Sequence, residues 1–136
     1  MNVHASLAVD AGHHKVLVTF RIENRGERRV WLPRAIAADA TPSGNLFDLR
    51  MRPGTAPVAY CGPMVKRAAP GEADYVELAP HSAHTHTVDI TGAYAFGAGK
   101  RDYDVRYEGK VVTDMRRPDA VSDLVTEAVG FSFGGS

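Results

Sequence analysis

The chain has 136 residues, a single cysteine, and 16 basic against 16 acidic side chains. That length suits one domain with its own core, hiding roughly two-thirds of the surface an unfolded chain exposes. Zero net charge argues against nucleic acid or an anionic membrane as the main partner, since both select a basic excess; a local patch around Arg25, Arg28 and Arg29 stays open.

Val3, Ala5, Leu7 and Val9 share one face of a first strand, and Asp10–His14 turns the chain. Lys15–Glu23 is the clearest strand: Val16, Val18, Phe20 and Ile22 alternate with polar neighbours, the period of two of a half-buried strand. Asn24-Arg25-Gly26-Glu27 turns it, and Arg28–Leu32 returns with the only tryptophan, Trp31, expected at the centre of the core. Pro33 ends that strand. Arg34–Asn45 reads as loop, with one helical turn available at Ala35–Ala38 and turn chemistry at Thr41–Asn45. Phe47, Leu49 and Met51 alternate with Asp48, Arg50 and Arg52 on the next strand. Pro53-Gly54 turns it toward Val58–Cys61, and Met64–Arg67 is either an edge segment or a loop.

Further strands follow at Val76–Leu78, at His86–Ile90 and at Tyr103–Tyr107, with Tyr94 placed like the tyrosine corner of immunoglobulin-like sandwiches. Val111–Met115 extends the last of these or crosses over. Asp119–Leu124 is taken as a loop or short helix and Thr126–Phe133 as the final strand, leaving Gly134-Gly135-Ser136 as a tail. Strands recurring every 10 to 15 residues between Gly, Pro and Asn turns predict an all-β, immunoglobulin-like antiparallel sandwich of seven or more strands with at most one short helix. It occupies residues 1–133 as one domain.

One run of motifs resembles a known family. In order, they are Tyr60 and Gly62, then Lys66-Arg67, then Asp74, Tyr75 and Leu78, then Pro80. Val88-Asp89-Ile90 follows, and then Tyr103, Val105 and Tyr107. Their spacing resembles the non-catalytic, amino-terminal β-domain that precedes the zinc protease domain of the deuterolysin and peptidyl-lysine metalloendopeptidase family. His81 stands where that family usually has Gly. The resemblance covers about half of the chain. It implies a non-enzymatic protein-binding module: a partner, inhibitor or accessory domain of such a zinc endopeptidase. A general adhesion or surface-interaction domain with an unrelated partner is the alternative. The implied contact loop carries Tyr60, Pro63, Met64, Lys66 and Arg67, and a lysine-selective protease would make Lys66 a substrate mimic; a solvated basic loop is the plainer reading.

The chemistry such proteases need is missing from the sequence. Zinc peptidases use His-Glu-x-x-His on a helix, and this chain contains no His-Glu pair. No cofactor is expected. His84 and His86, two apart on a strand, share a face and with His81 form a weak metal alternative, against the reading of a polar, solvent-facing strand. Cys61 reads as a small apolar strand residue, not a reactive thiol, because no His or Asn stands beside it to activate it. Asp102 and Asp104 flank Tyr103 as solvating charges, and Gly92, Gly97 and Gly99 lie in a hairpin-like link, not in a phosphate loop. No stretch approaches the ~18 apolar residues of a membrane-spanning helix. The first residues, Met1-Asn2-Val3-His4, lack the basic head and apolar run of a signal peptide, so the compartment stays open: cytosolic as written, or secreted or periplasmic after loss of a leader.

Overall fold

The computed structural model describes residues 2–12, 14–65, 71–117 and 119–135. Its strands are β1 (Val3–Asp10), β2 (Leu17–Asn24), β3 (Val30–Pro33), β4 (Phe47–Arg52), β5 (Ala56–Pro57), β6 (Tyr75–Leu78), β7 (Ser82–Asp89), β8 (Gly99–Val112), β9 (Val121–Val125) and β10 (Val129–Gly135). One helical turn, α1 (Arg34–Ala37), follows β3, and a 3-10 turn at Glu72–Asp74 precedes β6. β1, β2 and β7 form one sheet. The other runs β5-β4-β8-β3-β6, with β9 and β10 also paired to β8. Every strand pairing is antiparallel. The chain is thus an all-β, immunoglobulin-like antiparallel sandwich with one short helix.

β8 is the spine of the larger sheet. Tyr103, Val105, Tyr107 and Val111 point inward along it, while Asp102, Asp104, Arg106 and Glu108 point out. β4 pairs with residues 102–107, β10 with residues 99–105 and β9 with residues 108–112. Phe20 from β2 meets this surface in the middle of the core. Its ring stacks on Phe47 at 5.6 Å and takes the edge of Tyr107 at 5.2 Å. A second aromatic group, Phe96, Tyr103, Phe131 and Phe133, packs edge-on and stacked further along β8.

Four sequence expectations change. Trp31 is not a core residue: β3 buries Val30 and Leu32, so the period of two turns the residue between them outward, opposite Glu77 and Val112. Residues 121–125 form strand β9, not a loop or helix; Leu124 fills the core beside Gly109, and Val121 and Val125 face out. β10 runs past Phe133, so Gly134 and Gly135 pair with Lys100 and Gly99 in place of forming a tail. The fourth concerns the histidines of β7, which are not on the solvent face.

His84 and His86 sit on the inward side of β7, in register with Ile22 and Phe20. Their Nε2–H groups donate to the carbonyls of Ala37 and Asp39, both at 2.7 Å. The two imidazoles therefore hang the segment after α1 on the rim of the smaller sheet, with Asp89 N–H donating to Ala40 at 2.9 Å.

Tyr94 is the other long-range clasp. A tyrosine corner closes onto backbone a few residues away. Here the phenol crosses to the start of β4, where its oxygen accepts the N–H groups of Leu46 and Phe47 at 3.1 and 2.9 Å and its proton goes to Asn45 Oδ1 at 2.9 Å. Tyr94→Phe strands those two donors, one of them buried. The expected loss is about 1–3 kcal/mol, the cost of leaving a buried donor unpaired, read from the urea midpoint. An unchanged midpoint would show that the clasp carries no stability.

Candidate protein-docking site

Sequence reasoning places the contact loop at Tyr60–Arg67, and the structure describes it as far as Val65; Lys66 and Arg67 lie outside the described residues. Tyr60 starts the loop with an isolated antiparallel bridge to Tyr94, and the two rings meet edge to face at 5.4 Å. The Tyr60 ring then folds over Gly62 and its hydroxyl donates to the Pro63 carbonyl. A β-carbon on Gly62 would lie 2.8 Å from that hydroxyl, so a larger residue there would push the Tyr60 ring off its place over the turn.

Both ends of the loop are tied to distant backbone. Cys61 and Gly62 both donate to the Ala93 carbonyl, at 2.8 and 3.2 Å, and Ala95 donates to Ala59 at 2.9 Å. At the far end Val65 N–H donates to Ser43 at 2.9 Å. Between these anchors the apolar tip points into solvent: Met64 is 76% exposed and Val65 55% exposed. Pro63 also faces a cleft of about 280 Å³ whose walls are Thr41-Pro42 on one side and Asp89 with Thr91-Gly92-Ala93 on the other. Asp89 does not offer a free carboxylate there, since its Oδ1 accepts both the N–H and the hydroxyl of Thr91 at 2.9 and 2.6 Å.

Of the candidate residues, the structure brings Tyr60, Pro63 and Met64 together on one braced loop. It adds Thr41, Pro42, Ser43 and Ala93, none of which the sequence reading singled out. Thr41–Asn45 reads as ordinary turn chemistry, and no local signal says that its carbonyl at Ser43 will hold a residue 22 positions later. The Cys61 thiol is exposed, with its sulfur at a long 3.9 Å from the Gly92 carbonyl.

The histidines do not assemble into a metal centre among the described residues. His81 stands apart in a left-handed turn position, φ +56°, with its Nε2 3.1 Å from the Glu27 carboxylate. The Nε2 atoms of His84 and His86 are already committed to carbonyls. No group of three or more His, Cys, Asp or Glu side chains that could hold an ion is found among the described residues. No helix among them is long and apolar enough to cross a membrane.

No protein-family model matches the chain, and no curated protein matches it either.

Proposed function

We propose that this chain is a non-enzymatic protein-binding module that docks through the Tyr60–Val65 loop. The observation that carries the reading is the pairing of exposure with bracing. Met64 and Val65 present apolar surface to water, while backbone bonds at Cys61, Gly62 and Val65 hold the loop in one shape. Large exposed apolar side chains on a fixed loop are what an interface anchor needs, because little ordering entropy remains to be lost on binding. The partner class follows from the resemblance: a zinc endopeptidase of the deuterolysin and peptidyl-lysine type, which the module restrains or accompanies. The Lys66-Arg67 pair directly after the apolar tip supports that choice, since a lysine-selective cleft accepts a basic side chain.

The test is a titration of the chain against a purified protease of that family. Cleavage of a lysine-containing peptide and the heat of complex formation are followed together. Saturable binding at tens of micromolar or below is the expected result, on the order of −6 kcal/mol or stronger. Neither heat nor a change in cleavage would remove the protease as partner and leave a surface-interaction domain with an unrelated partner.

A further inference from the structure

The open edge of β7 carries an inference independent of the docking loop. β7 has β2 on one side only. Ile90 N–H donates to Val16 on the β2 side, whereas Asp89 N–H points the other way, to Ala40. In an antiparallel strand the N–H and C=O of one residue face the same side, and successive residues alternate. His84, His86 and Val88 therefore spend their backbone groups on β2. Ala83, Thr85 and Thr87 turn theirs to the free edge, where no backbone group meets them among the described residues. All three residues are exposed.

Natural sheets guard such an edge with Lys, Pro, a bulge, a very short strand or a covering element. The other edges here follow that rule. β5 is two residues long and ends in Pro57, β6 is four residues long, and β1 lies against β9 and β10. β7 has eight residues with no Lys, Arg or Pro, and its pairing with β2 runs without a bulge from Ser82 to Asp89.

We infer that β7 pairs with β7 of a second copy of this chain, antiparallel about a two-fold axis at Thr85. Thr85 then faces its own counterpart and Ala83 faces Thr87, so three facing pairs exchange two hydrogen bonds each. The two three-stranded sheets become one of six strands. A two-fold axis sets like opposite like, which penalises any charge on the edge; Ala83, Thr85 and Thr87 carry none, and Asp89, which ends the same row, already gives its N–H to Ala40 and stays outside the pairing. The nearest charge in register, Arg21 beside Thr85, lies three strand spacings from its mate. That is about 14 Å, beyond the screening length at physiological salt. His84 and His86 point inward with the segment they hold.

Sedimentation equilibrium between about 10 μM and about 1 mM tests the pairing, because an edge-only interface is smaller than a standard one and its dimer is weak. A reversible monomer–dimer equilibrium is expected. Thr85→Lys puts two like charges on the axis and weakens it at least about tenfold. Thr85→Pro does the same, and it spares the β2–β7 ladder because the Thr85 N–H is not part of it. Should the proline variant misfold by circular dichroism, Thr85→Lys and amide exchange decide. Thr85 and Thr87 amides should slow at least about tenfold from the low to the high concentration, while those of His84 and His86 are protected at both. Three results would each overturn the inference: a monomer at 1 mM, a dimer that Thr85→Lys leaves intact, or Thr85 and Thr87 amides that slow only when a foreign protein is added.

Discussion

Phe20→Ala is expected to lower stability by about 3–5 kcal/mol, the largest loss from any single change considered. Phe20 is fully buried and joins the two sheets, with Phe47 of β4 against one face and the edge of Tyr107 of β8 against the ring. Removing it forfeits the transfer energy of an aromatic side chain. It also leaves a void walled by β-strand side chains, which are fixed by ladders on both sides and cannot collapse far into it. Aromatic pairs add about 0.5–1.5 kcal/mol beyond area burial, and this residue makes two. Urea unfolding of the variant, followed by tryptophan fluorescence and by circular dichroism, measures the loss. A change below about 1 kcal/mol would mean that Phe20 does not bridge the sheets.

Alkaline pH should produce the next largest effect. Burial pushes the Tyr107 phenol up to about 12 from its ordinary value of 10. Between those two values the unfolded chain has released this proton and the native one still holds it. Unfolding then releases a proton, so raising the pH favours the unfolded chain. The contribution of Tyr107 is complete below about pH 10 and is lost by about pH 12, roughly 2–3 kcal/mol for a shift of that size. Tyr94, also raised and chiefly by burial, acts in the same direction. Tyr107→Phe should make the decline between pH 9.5 and 11.5 clearly shallower when midpoints are compared at both values. The variant keeps the ring contacts with Phe20 and Phe47 and loses only the hydroxyl that lies over Gly109. A variant that declines as steeply as the parent would assign the alkaline sensitivity elsewhere.

Most of the sandwich was legible in the alternation of single strands. Val18, Phe20 and Ile22 on β2 and Tyr103, Val105 and Tyr107 on β8 are buried as their period of two requires. What the alternation could not supply was the absolute face of a short strand. In β3, Val30 and Leu32 took the inside and pushed the larger Trp31 out, because in a four-residue strand either pair satisfies the pattern and the neighbouring layers decide. Residues 121–125 failed for a related reason: Asp119 ahead of Val121, Leu124 and Val125 mimics a capped helix, and only pairing with β8 reveals a strand. His84 and His86 looked polar and therefore solvated, yet their imidazoles serve as donors to the backbone after α1. The candidate loop stood out for Pro63, Met64, Lys66 and Arg67 after Tyr60; the ring of Tyr60 over Gly62 and the footing on Ser43 and Ala93 left no local mark.

On the proposed function, the apolar tip of the loop is the anchor for a partner protease. The most direct test is calorimetry of the parent chain and of the Met64→Asp, Val65→Asp double variant against the same purified zinc endopeptidase. Both side chains are exposed and the Val65 backbone bond to Ser43 is kept, so the variant should melt with the parent. The expected result is a loss of at least about 30-fold in affinity, the ~2 kcal/mol of an interface anchor. Affinity that survives the double variant unchanged would contradict it and move the contact to another surface of the sandwich.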